Sequence, residues 1–204
     1  HFLLDMKFII GNKIGMTQVF DDKGKVVPVT LIEAFSCKVT QIRTKDKDGY
    51  SAIQIGCVES KKLNKPEKGH LKDLGGLAIL KEFRIAEVNY KIGDMVDISD
   101  FQEGDKVKVS GITKAKGFQG VVKRHGFAGG SATHGQKHSQ REPGSIGATW
   151  PQRVLKGQRM AGRMGGVRNT VSGLRIIKVE KEDNVVAVSG AIPGRRGTLV
   201  EVVC

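Results

Sequence analysis

The residues best suited to chemistry in this 204-residue chain are cations concentrated in residues 111–172. This segment holds 11 Lys and Arg against a single acid, Glu142, whereas residues 1–110 hold 18 against 16 and residues 173–204 hold 5 against 4. It also contains 13 of the 27 glycines. Arginine and lysine grip phosphate, and glycine lets a backbone approach it closely. The segment is therefore predicted to bind a polyanion, and nucleic acid is the polyanion that fits best.

The candidate RNA contacts are the cations of this segment, two of its histidines and the one tryptophan of the chain. They are Lys114, Lys116, Lys123, Arg124, His134, Lys137, His138, Arg141, Trp150, Arg153, Lys156, Arg159, Arg163 and Arg168. No apolar periodicity surrounds Trp150, so stacking on a base and packing in a core both stay open for it.

The spacing of His134 and His138 would suit a metal ion if the two lay on a helix. Residues 129–138 are too rich in glycine for a helix, and no third ligand is nearby. We expect these histidines to bond phosphate or base, and we expect no metal ion and no other cofactor.

Enzyme signatures are missing from the sequence. It has no GxxxxGK[ST], GxSxG or HExxH pattern, and one carboxylate in the basic segment cannot supply a carboxylate pair. The chain is predicted not to be an enzyme and to take no small-molecule substrate. An RNA-processing enzyme that uses His134 and His138 is the alternative, and it would need a pocket with perturbed groups.

A membrane partner for the cations is disfavoured. The basic segment lacks an amphipathic helix, and no apolar run approaches the roughly 18 residues of a span.

Residues 1–5 are too short for a secretory signal, and Met6 could be the true start. Cys37, Cys57 and Cys204 form no CxxC pair, which predicts reduced thiols in a cytosol-like compartment.

The flanking residues carry the period-two pattern of half-buried strands, as in 51–58 and 105–111. Turn signals at 21–24, 46–49 and 181–184 separate such runs, as hairpin connections do. We predict a mainly β protein whose barrel body comprises residues 1–110 and 173–204, with a polar excursion of about one helical turn at 60–76. Residues 111–172 are predicted to be a long irregular extension inserted in the barrel, with two helical turns at 118–125 that place Phe118 beside Val121.

Several strings of the sequence resemble the L-three family of large-ribosomal-subunit proteins, in its bacterial or organellar length class. The resemblance spans about residues 6–203. The strings are IGNKIGMTQVF at 10–20, GITKAKGFQG at 111–120, THG at 133–135, PGSIG at 143–147 and KGQRMAGRMG at 156–165.

The resemblance implies a six-stranded translation-protein-type barrel with additions, whose long extension threads into large-subunit rRNA and approaches the peptidyl-transferase centre. It implies direct rRNA binding early in assembly, contacts with large-subunit proteins fourteen and nineteen, and no catalytic residue. It places the protein in the ribosome of a bacterial cytoplasm, ahead of an organellar matrix or stroma. Some family members carry a methylated glutamine after the PGSIG string, but Ala148 and Thr149 stand there and Gln152 does not match, so the methylation is not carried over to this chain.

Overall fold

The computed structural model describes residues 6–21, 23–85 and 89–204. The question of a start at Met6 concerns residues 1–5, which lie outside the described residues. Within the described residues the strands are β1 Phe8–Phe20, β2 Val26–Ala34, β3 Cys37–Arg43, β4 Ala52–Glu59, β5 Leu77–Arg84, β6 Met95–Val96, β7 Lys106–Ile112, β8 Phe118–Gln119, β9 Gly162–Arg163, β10 Arg168–Glu180, β11 Val185–Ser189 and β12 Leu199–Val203. The helices are α1 Lys45–Asp48, α2 Lys65–Leu71 and α3 Val121–His125, with 3-10 turns at Lys72–Leu74 and Ile98–Asp100. The prediction of a mainly β protein is confirmed.

The chain forms two compact units. The first, which we call the body, comprises residues 1–112 and 168–204, and the second, which we call the basic unit, comprises residues 113–167.

Six antiparallel strands of the body close into a barrel in the order β1-β12-β7-β10-β11-β2. Alternate residues of these strands point inward, as the period-two pattern requires. Val107 and Val109 of β7 meet Val200 and Val202 of β12 in the barrel interior, where all four are buried.

The other strands of the body form a second sheet in the order β5-β4-β3-β6. Alternation in the sequence did not separate strands β3 to β6 from the barrel strands. Ile53 and Ile55 of this sheet are fully buried against Phe8 and Ile10 of β1, and the ring of Phe8 stacks on Phe83 at 4.8 Å. Period two reveals that a strand has a buried face, but it does not reveal which sheet the strand joins.

The three predicted turns connect consecutive strands. Residues 21–24 join β1 to β2, residues 46–49 join β3 to β4, and residues 181–184 join β10 to β11. The middle connection contains α1, which ends at Gly49 in the left-handed conformation with φ 80°. The sequence signals for these hairpins are confirmed.

The polar excursion at 60–76 contains more helix than the predicted single turn. Helix α2 spans seven residues and is capped by Asn64, whose backbone N–H donates to Glu67 Oε2 at 2.9 Å. Asn64 and Glu67 form a reciprocal capping box, which satisfies backbone donors at the start of the helix.

Strands β7 and β10 of the barrel fix both ends of the basic unit. Ile112 pairs with Arg168 and Gly111 pairs with Asn169, so the chain leaves the barrel and re-enters it on neighbouring strands. Residues 111–112 and 168–172 therefore belong to the strands of the body, and the predicted segment 111–172 is too wide by these residues. Among the described residues no helix has the length and apolarity that a bilayer crossing requires.

Strand β1 serves two cores at once, because Ile9 lies in the barrel interior and Ile10 packs against the second sheet. Replacing either side chain by alanine leaves a cavity, so Ile9→Ala and Ile10→Ala should each lower the free energy of unfolding by about 2–5 kcal/mol. Ile14 of the same strand is 40% exposed, and Ile14→Ala is the matched control with a much smaller expected loss. Urea denaturation measures all three, and an Ile10→Ala variant as stable as Ile14→Ala would contradict a core shared with the second sheet.

The body should lose an ion pair in acid. Lys7 Nζ donates to Asp105 Oδ2 at 2.8 Å, and this hydrogen bond lowers the pKa of Asp105 below its usual value. The pair therefore stabilises the fold fully above the unfolded-state pKa of about 3.9, and this contribution is lost as pH falls through the lower folded-state pKa. Because both groups are partly exposed, we expect the contribution to be about 1 kcal/mol or less. Denaturation of wild type and Asp105→Asn at several pH values should show a difference that shrinks below pH 4, and a difference independent of pH would contradict the assignment.

Candidate nucleic-acid interface

The basic unit begins and ends in a two-stranded antiparallel ribbon formed by residues 113–119 and 162–167. Lys116 N donates to Met164 O at 2.9 Å, and Met164 N donates to Gly117 O at 2.9 Å. Strands β8 and β9 continue this pairing. Gly165 has φ 73°, and a Cβ there would collide with the carbonyl oxygen of Lys114. The close approach of the two segments of the ribbon therefore requires glycine at this position.

The short helix α3 follows the ribbon. It begins after Gly120 and ends at Gly126, which adopts the left-handed conformation with φ 74°. Val121 is its buried residue. The predicted helix at 118–125 is therefore too long at its start, because Phe118 lies in β8 and is 77% exposed.

Two side chains of α3 converge on one carbonyl oxygen of the returning chain. Arg124 Nη1 donates to Met160 O at 2.6 Å, and the Nε2 atom of His125 lies 3.0 Å from the same oxygen. Arg124 is half-buried, unlike the other cations of the basic unit. Arg124 thus connects α3 to residue 160 and has a structural role within the basic unit. No signal in the sequence predicted this hydrogen bond, or the contact of His125 with the same oxygen.

The structure distributes the candidate residues over four settings. Lys114, Lys116 and Arg163 lie on the ribbon; Lys123 and Arg124 lie on α3; His134, Lys137, His138, Arg141, Trp150, Arg153, Lys156 and Arg159 lie in the irregular residues 127–159; and Arg168 opens barrel strand β10. All of them are exposed except Arg124.

The cations of the basic unit have no acidic partner within residues 113–167. Ten Lys and Arg face one Glu in residues 113–167, and no ion pair forms within this stretch, every residue of which is described. The ion pairs seen in the structure lie in the body. Unpaired cations at this density repel one another and create a positive potential that attracts polyanions.

The irregular part of the basic unit has almost no interior. Every residue from 128 to 159 is exposed except Gln136. Trp150 is 84% exposed, so the structure answers the question that the sequence left open and places this ring outside any core. Val154 and Leu155 are exposed beside it in sequence, at 45% and 55%, and no sequence signal marked them as surface residues.

His134 and His138 lie in the irregular residues of the basic unit. Residues 129–138 contain turns and no helix, as expected, and His134 itself has φ 55°. A cavity of about 640 Å³ in this region is lined by Phe127, Gln136, Ser139 and Glu142 among others, and neither His134 nor His138 lines it. Among the described residues no group of three or more His, Cys, Asp or Glu side chains could hold a metal ion.

Comparison with known proteins supplies the family. The family described as Ribosomal protein L3 matches residues 54–194 of this chain. A relative from Herpetosiphon aurantiacus, named Large ribosomal subunit protein uL3, is 52% identical over 199 residues, which cover 95% of this chain and 94% of that protein. Proteins of the same name from Synechococcus sp. RCC307 and Prochlorococcus marinus MIT 9312 are 49% and 48% identical, each over 95% of this chain and over 93% and 92% of their own lengths.

The chain belongs to the ribosomal protein L3 family. The resemblance drawn from the sequence strings is thereby confirmed. The matched residues 54–194 include every candidate RNA contact. Its L3 relatives are named as ribosomal proteins and not as enzymes, which confirms that part of the sequence prediction.

The bond from Arg124 to Met160 O should support the ribbon of the basic unit. Charge-assisted hydrogen bonds contribute roughly 1.5–3 kcal/mol, so Arg124→Gln should speed amide exchange at Lys116 and Met164 about tenfold or more. Lys123→Gln is the matched control, because it removes the same charge from the adjacent exposed position. Hydrogen exchange followed by NMR measures both, and equal rates in the two variants would show that the Arg124 bond does not stabilise the ribbon.

Proposed function

We propose that this protein is a structural constituent of the large ribosomal subunit and binds its rRNA directly through residues 113–167. The observation that carries the proposal is the surface of the basic unit, where ten cations face one acid without a single internal ion pair. Phosphates of a nucleic acid neutralise such a surface. The Lys and Arg side chains replace the counterions that were bound to the phosphates, and release of these counterions favours binding. Membership of the L3 family supports the same conclusion.

The residue types of the basic unit suit folded RNA. Arginine forks bind phosphate in two-pronged contacts, and lysine adds point charges. The exposed rings of Trp150 and Phe118 offer flat faces on which an unpaired base stacks. We therefore propose all the predicted residues as rRNA contacts, including Arg124, which bonds Met160 O through Nη1.

The finer features of the role follow from the family resemblance. We propose that the barrel is of the translation-protein type and that residues 113–167 form an extension that penetrates the rRNA toward the peptidyl-transferase centre. Binding takes place early and helps to nucleate assembly of the subunit. Large-subunit proteins fourteen and nineteen are the proposed neighbours, and the ribosome of a bacterial cytoplasm is the proposed location.

Salt dependence of binding tests the direct contact with rRNA. If about five cations meet phosphates, log K for large-subunit rRNA should fall with log salt at a slope of roughly −3.5 to −4.5. Replacing Arg159 and Arg163 by glutamine should reduce the steepness by about 1.4–1.8, since two phosphate contacts are lost. Filter binding at five salt concentrations gives both slopes, with small-subunit rRNA as the comparison RNA.

The matched control replaces Lys23 and Lys25, two exposed lysines between β1 and β2, by glutamine. This double variant has the same net charge as the arginine variant and should keep the wild-type slope. A wild-type slope near zero, or an equal effect of the two double variants, would contradict specific contact through the basic unit. Unchanged melting temperatures would show that the arginine variant is folded.

A further inference from the structure

A carboxylate of the barrel holds two cations from different strands of the body. Glu201 lies on β12, and only 9% of its surface is exposed. Arg168 Nη2, at the start of β10, donates to Glu201 Oε2, and Lys81 Nζ of β5 lies 3.1 Å from Oε1. One oxygen of Glu201 thus binds a cation of the barrel, and the other binds a cation of the second sheet.

The surroundings of Glu201 show why the carboxylate lies where it does. Glu201 pairs with Ile10 on one side and with Ser110 on the other. Ile10 is packed against the second sheet, and the Ser110 hydroxyl lies 2.7 Å from Thr170 Oγ1. Glu201 is therefore a polar residue beside the junction of the barrel and the second sheet, and the two cations satisfy its charge.

The stability of the fold alone does not explain why Glu201, Lys81 and Arg168 lie together. A buried ion pair contributes little net stability, because removing the charges from water costs about as much as their attraction returns. The two cations are not consumed by the carboxylate, since two positive charges meet one negative charge. Their outer surfaces stay open to solvent, with the Arg168 side chain 59% exposed and the Lys81 side chain 39% exposed.

We propose that Lys81 and Arg168 form a binding site for a backbone phosphate of rRNA, with Glu201 as the positioning residue that holds both cations in place. An arginine fork beside a lysine charge is a donor set that suits a phosphodiester. RNA is favoured over an acidic protein segment because Arg168 directly follows the ten-cation stretch in sequence. The inference rests on the proposed rRNA binding and adds Lys81 and Glu201, which the sequence did not mark.

The sign of one substitution tests the positioning role of Glu201. Glu201→Gln removes a negative charge. If Glu201 only repelled the phosphates and did not position the two cations, the variant would bind rRNA more tightly. Loss of positioning predicts the opposite, a binding constant lower by roughly two- to fivefold and a less steep salt slope. Glu180→Gln is the matched control, because Glu180 also pairs with a lysine, Lys178, on a barrel strand, and its binding constant should be unchanged or slightly higher.

A second pair of variants keeps the test independent of any loss of stability in Glu201→Gln. Lys81→Gln should lower the binding constant for large-subunit rRNA about three- to tenfold at 0.1 M salt and reduce the steepness of the slope by roughly 0.7–0.9. Lys81→Arg keeps the charge and should retain the wild-type slope. Lys178→Gln is the control for a lysine paired on the barrel surface and should also retain it.

The outcomes separate this inference from the proposed function. If wild type binds rRNA steeply and the Arg159 and Arg163 variant behaves as expected, but Lys81→Gln keeps the wild-type slope, the phosphate site is overturned. The cluster would then serve an acidic protein neighbour or the fold alone. Tighter binding by a folded Glu201→Gln protein would overturn the positioning role. A wild-type slope near zero would instead contradict rRNA binding itself.

Discussion

Mutual repulsion among the cations of residues 113–167 is the constraint on which the arrangement of this protein depends. The basic unit contains one carboxylate, and none of its cations forms an ion pair with it. Repulsion of this kind opposes collapse, so a stretch with this composition builds little core of its own. The apolar residues needed for folding are accordingly gathered in the body, where the barrel and the second sheet each bury a separate cluster.

The body tolerates the basic unit because its ends are already adjacent. Ile112 and Arg168 are paired on β7 and β10, so an insertion of any length between them leaves the barrel register unchanged. The entropic cost of closing a loop grows only slowly with its length. A hairpin of the barrel is therefore a suitable place for a long charged segment.

The sequence predicted the features that depend on local composition and failed on those that depend on distant partners. Charge counting located the basic unit to within a few residues, and alternation located the barrel strand that contains Val109. It did not predict the second sheet, because alternation is the same in either sheet. It could not show that Arg124 is bound to residue 160, or that Glu201 holds Arg168 and Lys81, since these partners are 33 to 120 residues apart in sequence.

The ribbon and the irregular residues beyond it differ in what the proposed rRNA partner would supply. The ribbon and α3 are ordered by backbone bonds, by the buried side chain of Val121 and by Arg124 on Met160 O. Residues 128–159 have no such interior, and fixing a backbone costs roughly 1–2 kcal/mol per residue. Phosphate contacts and base stacking on Trp150 must offset that cost if these residues are to hold one conformation on rRNA. A structured ribbon lowers the total entropic cost of ordering the basic unit, because the residues of the ribbon are ordered before RNA binds.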